Sequence, residues 1–246
     1  MTINFFPPGQ ASGWSPTFAP PMIPGCLLWL RGDLGITLNS GNVSSWADQS
    51  GLNDPNKNVT QATGSKQPAY NAVDGAYNGQ ATLSFTAASV SVLRSGTWSV
   101  APAQPLTVVF VGEGSTATQY MFDGINGAAF NNLACFLASA NRMELDAGAG
   151  LAVNTGIYAG QQCLAAVFNG ATSSLYQNNS RTPTISGNAG STAITGMAVG
   201  GDGPGTADSL NGKIAEFIMY SQVLTTPQLN QLFVYLSNRY APGAWA

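Results

Sequence analysis

From Val90 onward, short apolar runs recur at regular intervals: 90–93, 105–113, 118–123, 130–137, 141–147, 161–168, 172–177 and 192–199. Turn residues separate nearly all of them, which is the spacing of an all-β fold. PLTVVFVGE (105–113) and QQCLAAVFNG (161–170) lack clear alternation, as central strands covered on both faces do. In the stretch from Asn211 to Tyr240, Ile214, Glu216, Ile218 and Tyr220 alternate with Ala215, Phe217 and Met219. That two-residue period predicts a strand inside a sheet. Thr226 is placed to cap a following helix with Pro227 at its first position, where a missing N–H costs nothing. Leu229, Leu232, Phe233, Leu236 and Tyr240 then share one face of that helix, which Pro242 and Gly243 end. Many short strands and one helix predict a two-sheet antiparallel β-sandwich, or jelly roll, with the helix over one end or edge.

Earlier in the chain, Gly25 to Arg31 and Val43 to Ala47 read as strands with a Gly/Asn turn region between them. Asp48 to Tyr77 is polar and turn-rich, and reads as a long surface connection. Asn78-Gly79 before Ala81–Phe85 is a turn-then-strand signal. Residues 1–24 interleave prolines with Phe5, Phe6, Trp14 and Phe18, and read as an extended arm held by its own domain or by a neighbouring subunit through those aromatics. The expected organisation is therefore an arm (1–24) and one domain (25–246).

Inventory removes several chemistries. The chain has no His, so Ser-His-Asp catalysis and imidazole metal sites are out. Eight Lys plus Arg in 246 residues, with a net charge of −3, is far from a nucleic-acid-binding composition. Charged residues are 8% of the chain, against about 25% in ordinary domains. Neutral surfaces such as glycans and proteins are the expected partners. Cys26, Cys135 and Cys163 are odd in number, widely spaced and set among apolar neighbours, so buried free thiols are expected and no cofactor is. No run is long and apolar enough to insert in a membrane. The start, MTINFFPPGQASG, has neither a basic nor an apolar leader region, so no secretory address is expected.

LLWLR (27–31), VSSWADQSG (43–51), QPAY (67–70), NGQATLSF (78–85), MAVGGD (197–202) and LNGKIAEFIMYSQVLTTPQLNQLFVYLSNRY (210–240) together resemble the concanavalin A-like lectin/glucanase superfamily, in particular its laminin-G-like jelly-roll branch. The resemblance implies two antiparallel sheets packed face to face, one of them concave. It says little about activity, since lectins, binding modules, glycanases and virion proteins share the superfamily. In that segment Trp46 reads as a packing residue and Asp48 as an acceptor for its own loop's amides.

Glu144 and Asp146, two residues apart on one strand, begin the acidic pattern of retaining glycanases. The further acid expected two or three positions on is replaced by Gly148 and Ala149, so no catalytic residue is assigned. The glycine-rich loop Gly200–Asp208 offers Asp202 and Asp208 as oxygen ligands for calcium, but it reads as a tight turn and no metal is assigned. Arg31-Gly32-Asp33 matches an adhesion tripeptide by composition alone. For sugar stacking, the aromatics beside loops and polar residues are Trp98, Tyr120, Tyr158 and Tyr176. The expectation is a non-enzymatic bacteriophage virion protein, in the role of capsid decoration, head fibre or tail protein. It would form homo-oligomers, join other virion proteins and touch host-surface glycans, after assembly in the host cytoplasm. A bacterial carbohydrate-binding module or lectin, extracellular or on the cell surface, is the alternative. A glycanase or polysaccharide lyase using Glu144 and Asp146 is the third.

Overall fold

A computed structural model describes residues 18–115, 119–139, 142–154 and 160–241. The strands are β1 (Cys26–Arg31), β2 (Ile36–Asn39), β3 (Asn42–Trp46), β4 (Val59–Thr60), β5 (Ala69–Asp74), β6 (Gln80–Phe85), β7 (Leu93–Arg94), β8 (Leu106–Gly114) and β9 (Gln119–Ile125). They continue as β10 (Ala134–Ser139), β11 (Arg142–Asp146), β12 (Leu151–Asn154), β13 (Gln162–Phe168), β14 (Ser173–Gln177), β15 (Ile185–Gly187), β16 (Gly196–Val199) and β17 (Gly212–Tyr220). One α-helix among the described residues, α1 (Thr226–Tyr240), follows β17.

All the strand pairs are antiparallel and form one hydrogen-bonded network. One run is β15, β14, β13, β8, β17 and β1. The other is β12, β11, β10, β9, β16, β7, β4 and β3, with β2 beside β3. The lower end of β17 leaves β1 for β6, and β6 leads through β5 to β3, joining the runs. Their far ends also meet, where Ala147 and Gly148 bridge to Gly190. The result is a nearly closed, barrel-like β structure.

Alternation along β8 and β17 explains why their sequences look apolar throughout. Val108, Phe110, Phe217 and Met219 face a core shared with Phe122, Cys135, Leu145 and Val199 of the second run. Val109, Val111, Ala215 and Ile218 face the other way, into a second cluster with Leu229, Leu232, Phe233 and Leu236 of α1. The helix thus covers a sheet face, where the sequence predicted an end or edge: β17 presents a second apolar row that only a face-on helix can bury. Its cap also lies one residue earlier than predicted. Thr225 is the N-cap, and Gln228 Oε1 accepts from the Thr225 amide at 2.9 Å in a capping box.

Between 48 and 77 the predicted surface connection carries β4 and β5. β5 is half or fully exposed along its length, so no apolar alternation marks it, and its pairing with β6 is a backbone matter. The strand expected at 90–93 shrinks to two residues because Val90 is left-handed, φ 52°, after a 3-10 turn. The Asn78-Gly79 turn has positive φ at both residues, 55° and 73°, as a tight β5–β6 connection requires. Trp46 is fully buried and its indole N–H donates to Arg31 O at 2.9 Å. Cys26, Cys135 and Cys163 are unpaired and buried. Asp33 is claimed by Arg31 and Arg239, at 2.7 and 2.8 Å, so the adhesion-like tripeptide is tied to α1.

Candidate functional site

The short pairing of β4 with β7, Thr60 opposite Arg94, sets two polar segments side by side, and β7 is held in turn by β16. Gln61 braces the segment after β4. Its side-chain amide donates to Val92 O at 3.1 Å, its side-chain carbonyl accepts from Thr63 N at 3.0 Å, and its backbone O accepts from Gln67 Nε2 at 2.7 Å. The chain then makes a 3-10 turn over Gly64–Lys66. Across from it, the loop after β16 is drawn in by a single residue. Gly203 N–H donates to Asp123 Oδ2 at 3.0 Å, and Gly203 O accepts from Arg94 Nε at 2.8 Å.

These elements enclose an open cleft of about 400 Å³ lined by Thr60, Gln61, Ala62, Thr63, Lys66, Arg94, Ser95, Gly96, Pro204 and Gly205. No aromatic ring is among its lining residues. Its floor is fixed by Ser95, whose hydroxyl accepts from Trp98 Nε1 and Met197 N, both at 2.9 Å, and donates to Gly96 O at 2.9 Å. Gly205 has φ +72°, and a Cβ there would sit 2.6 Å from Arg94 Cδ, so the close approach of loop and guanidinium needs glycine. Asp202 does not point its charge into the cleft. Its Oδ1 accepts from Thr206 N at 3.0 Å and Ala207 N at 3.4 Å. Asp123, fully buried, accepts four backbone amides, from Asn131, Asn132, Leu133 and Gly203. Burial pushes its carboxyl up to about 6, against the pull of those amides.

A second cleft, about 340 Å³, lies between Ala47, Asp48, Gly51, Asn53, Asp54, Pro55 and Asn58. Its carboxylates serve local backbone. Asp48 Oδ1 accepts from Trp29 N and Ser50 N at 2.9 Å each, and Asp54 accepts from Asn56 N at 3.1 Å and Ser99 N at 2.9 Å.

The sugar-stacking candidates of the sequence fall in three separate clusters. Trp98 is 3% exposed in the main core, one layer behind the cleft, with Lys57 Nζ 5.0 Å from its ring centroid. Tyr120 is 5% exposed and stacks on Phe136 at 4.8 Å, its hydroxyl donating to Asn131 Oδ1. Tyr176 is half-buried on β14 against the helix-side cluster and keeps part of its ring open. Tyr158 lies outside the described residues, as do Phe5, Phe6 and Trp14 of the arm. Phe18 is described, and packs edge-on against Tyr235 of α1 at 5.5 Å.

Glu144 and Asp146 do share a face of β11, opposite Phe136 and Ala134. Burial raises both carboxyls above their ordinary range, while Arg142 holds Glu144 at 3.3 Å and Gly148 N–H donates to Asp146 at 2.7 Å. Among the described residues no group of three or more His, Cys, Asp or Glu is arranged to hold a metal.

Known structures share this architecture. A Trypanosoma rangeli sialidase in complex with sialic acid superposes with TM-score 0.57 at 14% identity, over 87% of this chain and 33% of the sialidase. The receptor-binding domain of botulinum neurotoxin D gives 0.58 at 12% identity, over 86% of this chain and 52% of that one, and the type G domain gives 0.57 at 14% over 87% and 52%. The likeness is one of fold. The chain spans about a third of the sialidases and about half of the toxin domains it matches. No family model matches it, and no curated protein does. The expectation of a non-enzymatic protein is corrected here: several of these neighbours are sialidases, so the architecture accompanies enzymes and gives no ground for excluding catalysis.

The sequence missed the cleft. Thr60–Lys66 and Arg94–Gly96 are ordinary polar residues in it, and only the loop Gly200–Asp208 drew notice there, for a different chemistry.

Proposed function

We propose that this chain is a glycan-recognition domain, built as a two-sheet concanavalin A-like sandwich of the laminin-G-like kind, working through the cleft between 60–66, 94–96 and 204–205. The observation that carries the reading is the cleft itself. It is concave and largely polar, and the hydrogen bonds that brace it through Gln61, Ser95 and Gly203 leave the Arg94 terminal nitrogens and Lys66 Nζ without a partner among the described residues. The names of the structural neighbours, a sialidase holding sialic acid and toxin receptor-binding domains, support the same direction. The proposed setting is the surface of a bacteriophage virion, as a decoration, head-fibre or tail protein in homo-oligomeric contact with its own kind and with host-surface glycans. The charge-poor composition and the Pro/aromatic arm support it. A bacterial carbohydrate-binding module is the same chemistry in another setting. A glycan array decides on the site: reproducible binding lost in Arg94→Ala and kept in Tyr176→Ala supports the cleft, the reverse pattern moves recognition to β14, and no binding removes the reading.

A second reading is favoured by one observation. Glu144 and Asp146 sit on one face beside the Tyr120–Phe136 stack, both with carboxyls raised by burial, and a pair of carboxyls on one face is what acid–base hydrolysis uses. Reducing-sugar release abolished by Glu144→Gln would support hydrolysis there. Silence across common glycans would remove it.

A further inference from the structure

We propose that the cleft takes an acidic saccharide, and that Lys66 and Arg94 hold its carboxylate or sulfate; this rests on the glycan-recognition reading of the same cleft. The argument is one of charge accounting. Of the eight Lys and Arg in the chain, Arg31 and Arg239 are spent on Asp33, Arg142 on Glu144, and Lys213 on Asp74 and Glu113. Lys57 is 5% exposed, its ammonium donating to Leu27 O at 2.7 Å. That leaves Lys66, Arg94 and Arg181 as the cations that neither have a carboxylate within ion-pair distance nor spend a buried ammonium on backbone, among the described residues. Two of those three line one cleft.

The acids built into the adjoining loop contacts do not neutralise them. Asp202 is turned to its own loop's amides, and Asp123 is buried among four others. Arg94 is also pre-oriented. Its Nε is fixed on Gly203 O at 2.8 Å and its stem is packed by Gly205, while its two terminal nitrogens have no partner among the described residues. That leaves free the part of a guanidinium that forks onto a carboxylate or sulfate. A neutral sugar held by stacking needs an aromatic platform, and none lines the cleft. Two unneutralised cations in a concave site therefore point to an anion, and a volume of about 400 Å³ is more than a bare inorganic ion would fill.

Calorimetric titration of the intact chain tests this with four probes: a hyaluronan tetrasaccharide (carboxylate), a chondroitin sulfate tetrasaccharide (carboxylate and sulfate), neutral chitotetraose, and inorganic sulfate. The expected result is binding of one or both acidic saccharides and not of chitotetraose, weakened about tenfold by Lys66→Gln and by Arg94→Gln, and weakened again by raising salt. Arg94→Lys keeps the charge without the fork, and should lose affinity while melting as the parent does. Chitotetraose binding that Thr63→Ala weakens and Lys66→Gln does not would overturn the acidic ligand and leave glycan recognition standing. Binding of inorganic sulfate alone, or of none of the four, would overturn both.

Discussion

Asp123 shows how one buried residue can shape both stability and the cleft. Its folded carboxyl is pushed from 3.8 up to about 6, so between those values the folded chain holds a proton that the unfolded chain has released. The stability this group contributes is therefore full below about 3.8 and lost as pH rises through about 6, on the order of 3 kcal/mol in all. Asp123→Asn cannot titrate. Urea unfolding between pH 4 and 7 should show a flatter pH dependence in the variant than in the parent, and equal slopes would refute the assignment. At pH 4 the variant should be the less stable by about 2 kcal/mol, because an amide nitrogen cannot accept the amides that one carboxylate oxygen now takes, and the gap should close as the parent loses stability toward pH 7. A second residue-scale test is Gly205→Ala. Its left-handed φ of +72° costs an alanine roughly 1–2 kcal/mol. The new Cβ, 2.6 Å from Arg94 Cδ, must push that side chain aside, so saccharide affinity should fall several-fold in titration. Unchanged affinity would mean that Arg94 does not hold the ligand.

At the scale of elements, the decisive contact is between β17 and α1. Glu216 is fully buried, and three donors converge on it: Trp29 Nε1 at 2.6 Å, Tyr240 hydroxyl at 2.8 Å and Tyr235 hydroxyl at 3.1 Å. Burial raises its carboxyl, and the Trp29 and Tyr240 donors pull it back. Glu216→Ala strands all three donors under the helix and should cost about 3 kcal/mol or more, whereas Glu216→Gln keeps an acceptor and should cost clearly less. Chemical unfolding of both variants measures it, and equal losses would show that helix docking rests on apolar packing alone. The apolar half of this contact was legible in the sequence, because Leu229, Leu232, Phe233 and Leu236 fall at helical spacing and β17 alternates. β2 and β5 were not legible. Their side chains are largely exposed, and what makes them strands is backbone pairing with the next strands, β3 and β6, which leaves no apolar pattern in β2 and β5 themselves. The cleft was hidden for a related reason. Lys66 and Arg94 look like any surface cations until the partners of Arg31, Arg142, Lys213 and Arg239 are known, and that knowledge exists only in three dimensions.

For the whole molecule, the layer formed by β13, β8, β17 and β1 is shared by two cores, and the chain ahead of β1 closes one of them. Ile23 is 3% exposed in the helix-side cluster, Pro20 O accepts from the buried Tyr220 hydroxyl at 3.0 Å, and Pro24 O accepts from Gln222 Nε2 at 2.8 Å. Phe18 adds its ring to Tyr235. Residues 18–24 are thus anchored on their own domain, and the aromatics that remain for a neighbour are Phe5, Phe6 and Trp14. Two truncations separate these roles. Removing residues 1–24 uncovers Tyr220 and leaves its hydroxyl unpaired, so that variant should melt below one lacking residues 1–17 by on the order of 5–10 °C, from about 3 kcal/mol of lost apolar cover and one lost hydrogen bond. Equal melting temperatures would mean that the anchor contributes nothing. The shorter truncation then isolates the proposed virion contact. Loss of oligomer size or particle association in the variant lacking only 1–17, with saccharide binding at the Arg94 cleft retained, places assembly in the arm and recognition in the domain. Unchanged assembly in that variant removes Phe5, Phe6 and Trp14 from the interface.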